Sequence, residues 1–262
     1  MTKLFIDIET TPAQDPTILD GFRKSVAANF KAPSTLTKEQ AAIDLGMIDK
    51  DVIKFTSKDS MLALWAERFK DEATEAAAQA EWRKTSFDGS CGHICVIGLS
   101  IDDNEPISIY HDDWHANEAD VLREFFAIVD KTCAQNPNVR PTFIGHNVIA
   151  FDLRFIYHRA VVLGVKPSVH IPFNARPWGD SSVFDTMTAW AGAGNRISLD
   201  KLAKSLDAGG KGDMNGSMVW DAVNEGRIAE VAAYCRDDVS MTREVYRRMT
   251  FATGNDNFTG GL

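Results

Sequence analysis

The order of strand-like and helix-like segments is the feature of this sequence that most restricts its fold. Short apolar runs bounded by turn residues predict strands, and longer runs with a 3.6-residue period predict amphipathic helices. Strand-like segments occur, in order, at residues 3–8, 93–102, 106–111, 141–147 and 182–187. Helix-like segments separate the last three strands, and a long helix from about 225 to 249 follows them. We therefore expect an α/β fold with a mixed β-sheet flanked by helices.

The segment between the first two strands differs from the rest of the chain. It carries helical patterns joined by polar stretches, and its longest helix is expected to begin near Asp59 or Ser60, either of which could cap it. We predict a helical insertion at about 11–90, after the first strand, which could cover or gate a site. With this insertion, residues 1–250 are expected to form a single domain and residues 251–262 a flexible tail.

The composition predicts a globular, cytoplasmic protein. Hydrophobic residues make up 44% of the chain and charged residues 25%, which is the balance of an ordinary globular protein. The sequence has no apolar run of about 18 residues, so we expect no membrane partner. Its first residues are already strand-like and acidic, which argues against a cleaved signal peptide.

The cysteines do not predict a disulfide framework or a zinc site. The four are scattered along the chain, at Cys91, Cys95, Cys133 and Cys235. Cys91 and Cys95 flank His93, but a second pair of ligands is missing and the segment has the pattern of a buried strand. We expect these side chains to pack in the core.

The net charge of −9 counts against a nucleic-acid partner, because phosphate binding normally requires a basic surface. The argument weakens if several of the acids bind metal ions, since bound divalent cations reverse the local field. Basic residues also cluster locally, as in Arg236, Arg243, Arg247 and Arg248 on the last helix.

Three short acidic patterns are the candidate catalytic features. Asp7 and Glu9 lie at the end of the first strand, where alternation places both side chains on one face. Asp152 follows a middle strand in GHNVIAFD and opens a helix, and Tyr234 and Asp238 lie one turn apart on the last helix. Taken singly, each has an ordinary structural explanation: solvated strand-end acids, a favourable charge at a helix N-terminus, and an amphipathic helix surface.

Taken together and in this order, the three patterns resemble the motifs of the DEDD (DnaQ-like) superfamily of 3′→5′ exonucleases. Tyr234, where other members have histidine, resembles the DEDDy branch. The likeness covers residues 1–10 and about 93–250 and leaves the insertion unmatched. More narrowly, the chain resembles the predicted exonucleases related to the exonuclease domain of family B DNA polymerases. The resemblance implies a ribonuclease H-like fold.

The resemblance also implies a mechanism with two divalent metal ions, Mg²⁺ or Mn²⁺, bound by Asp7, Glu9, Asp152 and Asp238. Asp7 would bridge both ions, Glu9 and Asp238 would complete the site of the attacking water, and Asp152 would hold the second ion. Tyr234 would orient the water by hydrogen bonding.

The implied function is removal of nucleotides from the free 3′ end of a nucleic acid, with single-stranded DNA as the expected substrate. One alternative is an exoribonuclease that acts on RNA or short oligonucleotides, since no residue that senses the 2′-hydroxyl can be identified. Another is a non-catalytic module that binds nucleic acid or a DNA polymerase. A proofreading subunit that needs a polymerase or replication partner is also open.

The glycine-rich segment 209–216 does not match a nucleotide-binding P-loop, because it lacks the required order of residues and does not follow a strand. We expect a flexible loop that could contact substrate. Several large aromatic residues could stack on bases, namely Phe173, Trp178, Trp190 and Trp220, although core packing is the commoner use of such residues.

Overall fold

A computed structural model describes residues 2–252 apart from 136, 138–139, 178–180 and 211. Its centre is a five-stranded sheet composed of β1 (Lys3–Thr11), β2 (His93–Ile101), β3 (Ile107–Ile109), β4 (Thr142–Gly145) and β5 (Val183–Asp185). The spatial order is β3-β2-β1-β4-β5, with β2 antiparallel to its neighbours and β4 parallel to β1 and β5. This confirms the predicted mixed sheet and ribonuclease H-like fold.

The first strand is longer than predicted, and the third, fourth and fifth are shorter. β1 continues to Thr11 because it pairs antiparallel with β2 from Leu4 to Thr11. Glu9 therefore lies inside the strand, immediately before an irregularity in the register between Glu9 and Thr10. An extra residue at such a point bends a strand and increases its local twist.

Residues 13–85 form a compact unit of their own. Its helices are α1 (Pro16–Asn29), α2 (Lys38–Asp44), α3 (Lys50–Phe55) and α4 (Lys58–Lys84). The hydroxyl of Ser57 caps α4 by accepting the backbone N–H of Ser60, so the proposal of Asp59 or Ser60 as the cap was wrong. Asp59 and Ser60 lie two and three positions after Ser57, inside the first turn of the helix, and the backbone N–H of Ser60 is itself the group that is capped. Ala41, Ala42 and Met61 form the buried centre of this unit.

The remaining helices belong to the unit that contains the sheet, residues 1–12 and 86–262. They are α5 (Glu118–Gln135), α6 (Asp152–Val162), α7 (Thr186–Ala191), α8 (Leu199–Ser205), α9 (Val219–Asn224) and α10 (Ile228–Met249). The last helix starts later than predicted, because Gly226, with φ +79°, separates α9 from α10. Within the described part of the chain, no helix has the length and apolarity needed to span a membrane.

The two faces of β1 contact different helices. Leu4, Ile6 and Ile8 join the core built with α5 and α6, whereas Phe5 packs against Ile144 and Val239, the latter on α10. Because side chains alternate along a strand, Asp7 and Glu9 share the α10 face with Phe5. This arrangement directs both carboxylates toward the last helix.

His93, Ile94 and Cys95 are buried in the core, as expected, whereas Cys91 is only partly buried. Glu118 is buried and accepts two hydrogen bonds from Arg159, at 2.8 and 2.7 Å, and one from the backbone N–H of Ile94. Nδ1 of His93 lies 3.3 Å from the same carboxylate, and the Cys95 thiol donates to the carbonyl of Glu9. Burying an ion pair is tolerated when its polar atoms are satisfied in this way.

Gly98 allows α10 to approach the sheet. It lies opposite Asp7 in the β1–β2 register. A Cβ at this position would lie 2.8 Å from Sγ of Cys235 and 2.9 Å from Cγ2 of Val239, both buried. Those distances are shorter than van der Waals contact, so only glycine fits without moving the helix.

We expect Gly98→Ala to lower the free energy of unfolding by about 1–3 kcal/mol, the usual cost of an extra group in a packed core. Denaturant unfolding measures this change. Gly216→Ala is the control, because a Cβ there meets no atom within 4 Å and should change stability by less than about 0.5 kcal/mol. Equal stability of the Gly98→Ala variant and the unmodified protein would show that α10 does not pack this closely.

Candidate active site

Four carboxylates from three separated segments meet at one point of the sheet unit. Asp7 and Glu9 come from β1, Asp152 is the first residue of α6, and Asp238 lies on α10. Glu9, Asp152 and Asp238 are buried, with exposed fractions of 7%, 2% and 5%, and Asp7 is partly buried. Glu9, Asp152 and Asp238 are all close enough to raise the pKa of Asp7. The structure thus brings together all four predicted acids.

Asp152 is held against the central strand by a hydrogen bond. The pairing of β1 with β4 ends at Phe5 and Ile144, where the two strands diverge. Beyond that point, Oδ1 of Asp152 accepts the backbone N–H of Ile8 at 3.1 Å. The bond satisfies a buried donor on β1 and places the carboxylate beside the Asp7–Glu9 segment.

The fourth carboxylate and the tyrosine are positioned by α10. Tyr234 and Asp238 are one turn apart, both are buried, and their side chains are hydrogen-bonded to each other. Between them, Sγ of Cys235 lies 3.5 Å from Oδ2 of Asp7. The close approach that Gly98 permits therefore brings this helix face directly over β1.

The proximity of the acids shifts their protonation. Burial, followed by repulsion from Glu9, Asp152 and Asp238, raises the pKa of Asp7 well above its usual value. Burial also raises the pKa of Asp152 to about 7, and Asp185 adds to the shift. The pKa of Tyr234 is raised by burial and by Glu9 and Asp238, so its phenol stays protonated at neutral pH.

The donor set fits divalent cations. Ligand atoms of Asp7, Glu9 and Cys235 all lie within 4.8 Å of one another, and Asp152 and Asp238 add further carboxylates nearby. Hard oxygen donors are the ligands that Mg²⁺ and Mn²⁺ prefer. Four ionised carboxylates carry four negative charges, which two divalent ions would neutralise. The burial of these acids is otherwise costly, because like charges in a low-dielectric region repel strongly.

Asp185 is a structural residue of the site that the sequence analysis missed. Its Oδ1 accepts the backbone N–H groups of Asn147, Met187 and Thr188 at 3.1, 3.0 and 3.1 Å, and its Oδ2 accepts that of Ile149 at 3.1 Å. These bonds fix the turn that leads to Asp152, in which Asn147 has φ +66°. In the sequence, Asp185 is recognisable only as an aspartate between a strand and a helix. That position predicts a helix N-cap and does not predict the bonds to Asn147 and Ile149.

A cavity of about 520 Å³ lies beside the site, between α10 and the glycine-rich segment 209–216. Tyr234 and Asp238 line it, so this segment does lie next to the candidate catalytic residues. Lys211 of that segment, Trp178 and the tail from 253 to 262 lie outside the described residues.

The other aromatic candidates differ in exposure. Trp190 is 47% exposed on α7, whereas Trp220 packs edge-on against Trp114 at 6.3 Å. Phe173 lines a groove on the α6 side of the sheet unit. None of these three lines the cavity beside Tyr234.

Comparison with known proteins identifies the family. Residues 90–259 match a family model described as a predicted 3′-5′ exonuclease related to the exonuclease domain of PolB. The match covers more than half of the chain, and the protein belongs to that family. No curated protein matches the sequence significantly.

One solved structure shows a distant likeness. It is the family B DNA polymerase from the hyperthermophilic archaeon Pyrobaculum calidifontis, with 17% sequence identity and a TM-score of 0.49. The likeness covers 62% of this chain and 22% of the polymerase chain. At that distance the polymerase says nothing about the site or substrate of this protein.

We expect Mg²⁺ to stabilise the protein more at pH 8 than at pH 6. The raised pKa of Asp152, about 7, adds stability that is fully present below its ordinary value of 3.8 and is lost as the pH rises through 7. A metal ion needs the ionised carboxylate, so protons compete with it below pH 7. Thermal unfolding with Mg²⁺ and with EDTA at both pH values measures the gain.

The control for this experiment is Asp152→Asn, which has no carboxyl proton at position 152 for the metal ion to displace. Its gain in melting temperature should be smaller and should depend less on pH, because only the raised pKa of Asp7 still couples metal binding to protons. Equal gains at pH 6 and pH 8 in the unmodified protein would contradict competition between the proton and the metal ion at Asp152.

Proposed function

We propose that the protein is a metal-dependent exonuclease that hydrolyses phosphodiester bonds from the 3′ end of single-stranded DNA. The observation that carries the proposal is the convergence of four largely buried carboxylates, Asp7, Glu9, Asp152 and Asp238, from three separate segments. Membership in a family of predicted 3′→5′ exonucleases supports the reaction and its polarity. Carboxylates this close together repel one another and destabilise the fold unless they bind cations.

The four carboxylates are proposed to hold two divalent ions. Asp7, on the central strand between the other acids, is the residue best placed to contact both. When bound, such ions activate a water molecule as the nucleophile and neutralise charge at the phosphate and on the leaving oxygen. The chain itself supplies a rigid frame, because each acid sits on a strand or helix of the sheet unit.

Tyr234 is proposed to act as a hydrogen-bond donor. Its raised pKa keeps the hydroxyl protonated, which excludes the phenolate as a general base near neutral pH. The hydroxyl is paired with Asp238 and lines the cavity beside α10. From there it can hold a water molecule or a phosphate oxygen in position.

Three alternatives concern the substrate, the presence of catalysis and the need for a partner protein. RNA could be the substrate, and discrimination would then depend on contacts to the 2′-hydroxyl. A non-catalytic module that binds nucleic acid or a DNA polymerase is disfavoured, because a chain without catalysis has no need to retain all four acids and Tyr234. A polymerase or replication partner could still deliver the 3′ end to this site.

We expect the protein to shorten 5′-labelled single-stranded DNA one nucleotide at a time, in the presence of Mg²⁺ or Mn²⁺ but not EDTA. Asp7→Asn should abolish the activity because a metal ligand is lost. Tyr234→Phe should lower the turnover number about 10²-fold, the lower range for a positioned hydrogen-bonding group, and leave metal binding intact. Electrophoresis of labelled DNA and RNA under matched conditions measures both effects and ranks the two substrates.

Asp120→Asn serves as the charge-matched control, since Asp120 is exposed on α5 and pairs with Arg123. It should retain full activity. Undiminished activity in Asp7→Asn would remove the basis for this active site. Folded, metal-binding protein that degrades neither DNA nor RNA would favour the non-catalytic alternative.

A further inference from the structure

A second groove lies on the α6 side of the sheet unit, outside the carboxylate site. It has a volume of about 680 Å³ and is lined by Arg154 and Tyr157 of α6, by segment 171–175, and by the residues before β4 and β5, including Arg140. We refer to it as the α6 groove. It combines cationic, aromatic and small polar side chains, which is an unusual composition for a chain of net charge −9.

The charge of the α6 groove is positive and is not neutralised by described residues. Arg140 and Arg154 are exposed, and neither forms an ion pair or hydrogen bond with any residue that the structure describes. Arg176, next to the groove residue Ala175, is exposed in the same way. Other arginines are paired, such as Arg159 with Glu118. No acid occurs among the described residues that line the groove.

The aromatic part of the groove offers a surface for stacking. Tyr157 is 41% exposed and contacts Phe173, with ring centroids 5.4 Å apart and an interplanar angle of 47°. Ser181, Ser182 and Asn174 supply hydrogen-bonding groups beside the rings. Aromatic side chains next to exposed arginines are the features that bind single-stranded nucleic acid without sequence preference, because rings stack on bases and cations neutralise phosphates.

The groove begins close to the carboxylate site. Arg154 is two residues after Asp152 on α6, and Tyr157 is about 7.5 Å from Asp152 along the helix axis at the α-helical rise. Arg154 also lines a smaller cavity with Phe87 and Phe151, the residue before Asp152. The first turn of α6 therefore contributes Asp152 to the carboxylate site, and the same helix contributes Arg154 and Tyr157 to the groove.

Beyond Tyr234 and Asp238, the cavity beside α10 has an unfavourable charge for the rest of a phosphate backbone. The cavity beside α10 is lined by acids, namely Asp213, Glu230, Asp237 and Glu244. A polyanion leaving the carboxylate site would be repelled on that side and attracted toward Arg154 and Arg140 on the other. Charge complementarity thus selects the occupant of the groove.

We propose that the α6 groove binds the part of a single-stranded nucleic acid that lies upstream of the 3′-terminal nucleotide, a conclusion that rests on the proposed nuclease function. The arginines contact phosphates, and Tyr157 and Phe173 stack on bases. The groove holds the strand while its end is in the carboxylate site. It should therefore matter for long substrates and not for a dinucleotide.

The test compares Arg140→Gln, Arg154→Gln, their double variant and Tyr157→Ala. Binding of a labelled oligonucleotide of about 20 nucleotides is measured by fluorescence anisotropy in an Asp7→Asn background, and kcat/KM is measured on that strand and on a dinucleotide. Arg123→Gln, which removes one arginine from α5 outside the groove, is the control. The arginine substitutions remove exposed groups with no described partner, so they should not disturb the fold.

We expect Tyr157→Ala to weaken oligonucleotide binding about tenfold, which corresponds to the loss of one stacked base. The double arginine variant should weaken binding by about the same factor, because it loses contacts to phosphates. For the double variant, the slope of log Kd against log salt should fall in magnitude by about 1.4, as for two lost phosphate contacts with a single strand. The kcat/KM for the long strand should fall to match, while that for the dinucleotide stays the same.

Several outcomes would overturn the assignment. One is an oligonucleotide Kd that is the same in the variants and in the unmodified protein. This result counts against the proposal even if the variants lose binding to polyglutamate or to phosphatidylserine vesicles, since the groove would then bind an acidic peptide or a lipid surface. Another is an equal loss of kcat/KM on both substrates, which would place these residues in the carboxylate site. If the unmodified protein degrades neither substrate, the proposed nuclease function fails, and the Kd comparison alone decides the role of the groove.

Discussion

The repulsion among the buried carboxylates is the constraint on which the rest of the sheet unit depends. Asp7, Glu9, Asp152 and Asp238 lie close enough that burial and mutual charge raise the pKa of Asp7 far above its ordinary value. A fold that keeps such a group together must hold each acid rigidly. The repulsion among the acids must also be offset by the binding of a ligand. Divalent cations are the ligands that this set of carboxylates fits.

The packing around β1 holds the acids rigidly. Gly98 lets α10 approach until Cys235 touches Asp7, while Asp152 is bonded to the backbone of Ile8. The four N–H groups that Asp185 accepts fix the turn before Asp152. A change in any of these contacts would move the acids slightly apart. A small displacement would be enough to weaken a site proposed to bind two metal ions at a defined spacing.

Local patterns predicted much of this arrangement, and tertiary contacts account for the rest. Strand alternation placed Asp7 and Glu9 on one face, and helical spacing placed Tyr234 above Asp238, as the structure confirms. The meeting of these pairs with Asp152 followed only from the resemblance to a known family. The roles of Asp185 and Gly98 could not be predicted, because they depend on which backbone groups and side chains of distant segments come near them.

The central claim, that these carboxylates form a site for two divalent ions, is tested most directly by anomalous scattering from crystals soaked in Mn²⁺. The account predicts two peaks about 4 Å apart between Asp7, Glu9, Asp152 and Asp238, and their loss in Asp7→Asn. Well-ordered carboxylates with no peak between them, or Mn²⁺ bound only elsewhere in the protein, would contradict it.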